Sequence, residues 1–189
     1  MLNTLLREVA ATAGSESPRI NVRGPTLSDV SGLARLFSEM QRHYNRPVPD
    51  ALAVEAAGLA CKPITATFDP RVLIAIVDSA IVGSIVLNVV FPAYELSRAL
   101  YIRDLYVARS VQRSGVGQAL VQAAAHLTYS QGFSALDWTT ETGNTAARQM
   151  YESCGARVLP RTYYRLARED MGGALYPGGG RLGEEPHEP

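Results

Sequence analysis

Leu105-Tyr106-Val107-Ala108-Arg109-Ser110-Val111-Gln112-Arg113-Ser114-Gly115-Val116-Gly117-Gln118-Ala119-Leu120 is the stretch on which the reading of the fold turns. Its first residues close a branched and aromatic run over 101–107, which reads as a strand. Gly115 opens a helix that continues to Gln131 and is stopped by Gly132. Val116, Leu120, Ala123, Ala124 and Leu127 recur along that helix at the spacing of a sheet-facing stripe. Gly115 and Gly117 carry no side chain, so a ligand can approach their backbone. The first amides of the helix have no internal acceptor and lie at the positive end of its dipole. A pyrophosphate fits such a place, and Arg113 adds charge there. The spacing is not the dinucleotide fingerprint GxGxxG, and the Lys-Ser/Thr pair of a phosphate-binding P-loop is absent. A tight strand-to-helix connection uses the same glycines, so this turn alone does not identify a ligand.

On the N-terminal side, residues 20–22 form a short strand candidate. Thr26 and Asp29 have capping-box spacing and open a helix reaching His43, with Val30, Leu33, Ala34, Phe37 and Met40 on one face. A weaker helix covers 50–60. Residues 72–77 and 81–91 read as two strands joined at Asp78-Ser79-Ala80. On the C-terminal side, 135–140 is a strand and Asn144 caps a helix that ends at Gly155. Ala147, Met150, Tyr151 and Cys154 share one side of that helix, and Val158 with 163–167 supplies the last strand. This order predicts an α/β fold: a mixed sheet with helices on both faces, not a βαβ repeat.

With 189 residues the chain has room for one substantial domain. Residues 1–18 read as a flexible N-terminal arm, 19–170 as a single domain, and 171–189, rich in Gly, Pro and Glu, as a disordered tail. Eighteen basic residues balance eighteen acidic ones, which argues against nucleic acid or an anionic membrane as partner. Apolar runs are strand-sized, and the first residues lack the long apolar core of a secretory signal, so the expected compartment is cytoplasmic. His43, His126 and His187 are scattered, and with Cys61 and Cys154 they form no ligand set, so no metal is expected.

Two motifs in order narrow the reading. The stretch 105–120 resembles motif A of the GNAT (GCN5-related N-acetyltransferase) superfamily, whose pattern Q/R-x-x-G-x-G/A falls on Gln112, Gly115 and Gly117. Asn144-Thr145-Ala146-Ala147-Arg148-Gln149-Met150-Tyr151-Glu152-Ser153-Cys154-Gly155-Ala156 resembles motif B, N-x-x-A-x-x-x-Y-x-x-x-G-A. Phe91-Pro92-Ala93-Tyr94 followed by 100–107 looks nearest to the diamine and polyamine acetyltransferase branch. The resemblance implies a GNAT-like, mostly antiparallel mixed sheet with a splayed central strand pair, and acetyl-CoA as co-substrate. It also implies a small-molecule primary amine as acceptor, and a homodimer is common among such proteins.

Carried over residue by residue, the resemblance places coenzyme A against Leu105, Tyr106, Val107, Gln112, Arg113, Ser114, Gly115, Val116, Gly117, Gln118, Asn144, Ala147 and Tyr151. An amide near 105–107 would polarise the thioester carbonyl. Tyr151 matches the tyrosine near the coenzyme A sulfur, and a phenol neutral at pH 7 can protonate a departing thiolate. The polyamine branch carries Glu-Asp where this chain has Arg103-Asp104, and Arg103 cannot accept a proton at neutral pH. Asp104, Glu141 and Asp137 remain as candidate bases, alongside ordered water. Arg103 is then a candidate contact for an acceptor carboxylate, with Tyr44, Tyr94 and Tyr106 as an aromatic wall; each tyrosine also serves as core or rim. Cys61 and Cys154 read as small hydrophobes, having no Cys-His arrangement. Two other readings stand beside a small amine: acetylation of a protein N-terminus or lysine, and a non-catalytic acyl-CoA sensor.

Overall fold

The computed structural model describes residues 9–10 and 19–175. Six strands form one sheet in the order β1-β2-β3-β4-β5-β6: β1 (Val9–Ala10), β2 (Asn21–Arg23), β3 (Arg71–Val77), β4 (Ala80–Val90), β5 (Ala99–Val107) and β6 (Leu136–Asp137). Every neighbouring pair is antiparallel except β5 and β6, which run parallel. The helices are α1 (Val30–His43), α2 (Asp50–Ala60), α3 (Val116–Ser130), α4 (Thr145–Ser153) and α5 (Arg168–Leu175). The expected mixed, mostly antiparallel α/β architecture is the observed one.

Alternation along β5 shows which face each helix covers. Tyr106 reaches Glu39 of α1 with its hydroxyl. Its neighbour Val107 points the other way, toward Gly117 of α3. Helices α1 and α3 therefore sandwich the sheet, and the core is filled by Leu33 and Leu36 from one side, Leu120 and Leu127 from the other, and Ile74, Ile85, Leu87 and Leu100 between them. Gly83 lets α3 lie close on β4: a Cβ there would sit 3.0 Å from Val116 Cγ1 and 3.1 Å from Leu120 Cδ1. Between β3 and β4, Asp78 and Ser79 both have positive φ, the backbone of a two-residue type I′ turn whose twist suits a hairpin.

The entry to α1 is tightly specified. Asp29 Oδ2 accepts the Thr26 amide at 2.7 Å and its hydroxyl at 2.9 Å, while Arg23 makes a bidentate pair with the same carboxylate at 2.7 and 2.9 Å. The Arg23 hydrogen bond, with the Thr26 bonds adding to it and burial opposing, holds the Asp29 carboxyl down at about 2. A depressed folded pKa contributes stability that is full above the unfolded value near 4 and is lost as pH falls toward about 2. Asp29→Ala is expected to cost about 2 kcal/mol at pH 7 and to flatten that part of the acid-unfolding curve, measured by denaturant titration at several pH values.

Two expectations need correction. The strand expected over 135–140 is ordered as such only at Leu136–Asp137, because those two residues alone find a ladder partner on β5. Val158 and 163–167 form no strand, although composition favours one there: β propensity alone does not fix a segment in a sheet. The chain also divides after Ala156, with Arg157 opening a second compact unit. That unit contains α5, so helix crosses the anticipated boundary at 170/171 and covers 171–175 where a disordered tail was expected. Most of the anticipated arm and the rest of the tail lie outside the described residues.

Candidate active site

The register between β4 and β5 slips once. Val86 pairs with Asp104 and Leu87 with Ile102, leaving Arg103 as an extra residue, a β-bulge. The last β5–β6 pair is Tyr101 with Asp137, immediately before that bulge. Beyond it the two strands part, and among the described residues no strand pairs with this edge of β5 over 102–107. The Tyr101 hydroxyl shares a hydrogen bond of 2.9 Å with Thr139 Oγ1 at the root of the gap. The splayed pair expected from the resemblance is therefore present, with its hinge at Arg103.

The 112–117 turn lies at the end of β5 facing α3. Gln112 Nε2 donates to Val107 O at 3.2 Å, and Ser114 Oγ donates to Val111 O at 2.6 Å, so both side chains brace the turn. Gly115 is left-handed (φ +88°), a conformation that favours glycine. The first internal bond of α3 runs from the Ala119 amide to Gly115 O at 2.9 Å. The amides of Val116, Gly117 and Gln118 accordingly have no acceptor among the described residues and stand at the positive end of a 15-residue helix. Exposed Arg113 and Gln118 border them. Unsatisfied donors, backbone access and positive potential together fit a pyrophosphate.

Helix α4 closes the other side. Asn144 Oδ1 accepts the Ala147 amide at 3.3 Å, so Asn144 is the N-cap that the sequence indicated. Met150 Cε stands 3.6 Å from where a Cβ on Gly117 would be, joining α4 to the start of α3. Tyr151 packs edge-on against Trp138, centroids 5.1 Å apart at 64°. Burial raises the Tyr151 phenol above its ordinary value, and Tyr44 and Asp104 raise it further. Burial also lifts Asp104 above the usual carboxylate range, against the Leu105 amide and the Arg103 charge, and Tyr44 is raised by burial and then by Asp104. Tyr44, Asp104 and Tyr151 thus form one electrostatic neighbourhood at the gap.

Tyr106 departs from the expectation attached to it. Its side chain belongs to the α1 face, where the hydroxyl donates to Glu39 Oε1 at 3.0 Å. Burial and that bond push its phenol up to about 12. Its ring lies 5.8 Å from that of His43 and 6.5 Å from that of Tyr44, so two of the three proposed wall tyrosines do meet. Tyr94 does not join them: it is 80% exposed, on a turn between β4 and β5. A tight connection after Val90 holds it outward. Exposed Glu141 lies on the loop after β6, where its carbonyl accepts the Asn144 amide, and exposed Arg103 occupies the bulge. Cys61 is buried, and burial raises the thiols of both cysteines, as befits unreactive side chains.

Sequence reasoning missed Glu39 and Arg109. Glu39 Oε1 also accepts the Arg109 amide at 3.0 Å, while Arg109 Nε and Nη2 approach His43 Nδ1 at 3.2 and 2.9 Å. One signal was available: Glu39 is the sole carboxylate among residues 30–43. Among the described residues, no group of three side chains is arranged to hold a metal ion, and no helix is long and apolar enough to cross a membrane.

A bulge-split strand pair, a bare helix N-terminus and a tyrosine on the facing helix define an acyltransferase architecture. Residues 33–156 match the model of the acetyltransferase (GNAT) family, and the chain belongs to that family. It is similar to the uncharacterized N-acetyltransferase YhfO of Bacillus subtilis (strain 168), with 26% identity over 136 residues, 72% of this chain and 89% of that protein. Among solved structures it resembles AAC(6')-Iy in complex with the bisubstrate analogue CoA-S-monomethyl-acetylneamine, with TM-score 0.64, 15% identity and coverage of 79% of this chain and 99% of that one. It also resembles the aminoglycoside acetyltransferase meta-AAC0020, from an uncultured soil metagenomic sample, in complex with sisomicin: TM-score 0.60, 22% identity, 78% and 97% coverage. The protein is thus an enzyme, an N-acetyltransferase of the family that uses acetyl-CoA.

Proposed function

We propose that this enzyme acetylates a primary amine of a small molecule, with the donor seated on the 112–118 turn and the acceptor amine delivered to Asp104 beside Tyr151. The observation carrying this reading is the shared neighbourhood of Asp104, Tyr44 and Tyr151 at the mouth of the β5–β6 gap. Acetyl-CoA, when bound, supplies an activated thioester. The free amides of Val116, Gly117 and Gln118 would hold its pyrophosphate, and an amide near 105–107 would polarise the thioester carbonyl. Asp104 draws the proton from the incoming ammonium, leaving nitrogen with the lone pair that attack requires. Tyr151 holds its proton at Oη for the sulfur as the carbon–sulfur bond breaks. Glu141, exposed beyond β6, is the weaker of the named carboxylates for the base role. The two aminoglycoside-type neighbours, although alike only in fold, agree with a small polar amine as acceptor. The narrower diamine or polyamine placement rests only on the 91–94 and 100–107 stretches, and Arg103 at the bulge opposes a polycation there.

A panel of aminoglycosides, diamines, amino acids and short peptides, assayed for thiol release from acetyl-CoA, tests this reading. At least one small amine should drive release and appear acetylated by mass spectrometry; release with peptides alone would reject it. With the active amine, kcat should rise with pH through an Asp104 pKa above the ordinary carboxylate range. Asp104→Asn should lower kcat about 100-fold and remove that limb of the profile.

A further inference from the structure

We infer that Glu39 is a positioning residue that ties the donor turn to the acceptor wall, an inference that rests on the donor and acceptor sites just proposed. One oxygen, Oε1, accepts both the Tyr106 hydroxyl and the Arg109 amide, each at 3.0 Å. Tyr106 is part of the aromatic wall with His43 and Tyr44. Arg109 is the first residue of the tight turn leading to the anion site: its carbonyl is approached by the Gln112 amide at 3.5 Å, and Gln112 Nε2 returns to Val107 O at 3.2 Å. A single carboxylate on the last turns of α1 therefore fixes the strand's exit from both sides of Val107. The Arg109 guanidinium, directed at His43 Nδ1, adds a second tether between the same helix and the same turn.

The arrangement also sorts the site's phenols. The Tyr106 hydroxyl is committed to Glu39, so its contribution to the acceptor is its ring. Among the described residues the Tyr151 hydroxyl has no hydrogen-bond partner, which leaves it as the phenol to act at sulfur. What Glu39 supplies is reach and an acceptor oxygen rather than net charge. Glutamine has the same length and its carbonyl oxygen can accept both bonds, whereas aspartate keeps the charge but is one methylene short.

Coenzyme A itself is the probe, because its binding requires no knowledge of the amine. Calorimetric titration of the full-length protein should give Glu39→Gln a Kd within about twofold of wild type, and Glu39→Asp and Glu39→Ala a Kd raised about tenfold. Hydrogen exchange should show the Arg109 amide protected in wild type and Glu39→Gln and exposed in Glu39→Asp. Unchanged coenzyme A affinity in Glu39→Asp would make Glu39 a mere strut between helix and strand and overturn the inference. Equal losses in Glu39→Gln and Glu39→Asp would overturn it too, since charge and length would then both be needed. If wild type itself binds no coenzyme A, the donor-site reading fails instead.

Discussion

Replacing Tyr151 by phenylalanine is expected to lower kcat by 100- to 1,000-fold while the Kd for coenzyme A changes less than about threefold. The substitution removes one oxygen and leaves the ring that packs on Trp138 in place, so α4 keeps its position. What is lost is the proton for the departing sulfur. Because burial holds the phenol above its ordinary value, the wild-type enzyme keeps this proton well into alkaline pH, and the alkaline limb of kcat should lie above the ordinary tyrosine range. In Tyr151→Phe that limb should vanish. Stopped-flow thiol release at saturating substrates reads the effect directly. Full turnover in the variant at every pH would mean that another group protonates sulfur.

The second large effect is expected at Gly117. A side chain there would project between Val107 and Met150, where an added Cβ meets their nearest atoms at 3.8 and 3.6 Å, ordinary contact distances. The protein itself can therefore accept a Cβ there, and a larger side chain is expected to fill the space in front of the free amides. Gly117→Val should raise the Kd for coenzyme A at least 100-fold while the thermal midpoint moves only a few degrees. A variant that binds coenzyme A normally would show that the ligand does not approach this turn.

Much of this arrangement was legible in the chain because it depends on local chemistry. Thr26 and Asp29 mark the entry to α1 through bonds made within four residues. Asp78-Ser79 marks the hairpin, and Gly115 can adopt a backbone that other residues avoid. Asn144 caps α4 through its own side chain. What depends on distant partners was not legible. Tyr163-Tyr164 has the composition of a strand, yet no strand forms there. The extra residue at Arg103 is a property of the β4–β5 register, which no single strand encodes. Glu39 and Arg109 are 70 residues apart, and nothing near either one announces the other. Tyr94 and Tyr106 look equivalent as aromatic residues, yet one is turned outward and the other is buried against α1.

The most direct measurement is a crystal structure of the protein with coenzyme A bound. The pyrophosphate is expected within hydrogen-bond distance of the Val116, Gly117 and Gln118 amides, the pantetheine arm along β5 in the gap beyond Tyr101, and the sulfur beside Tyr151 Oη. A pyrophosphate bound away from the α3 N-terminus, or a sulfur out of reach of Tyr151, would contradict this donor site.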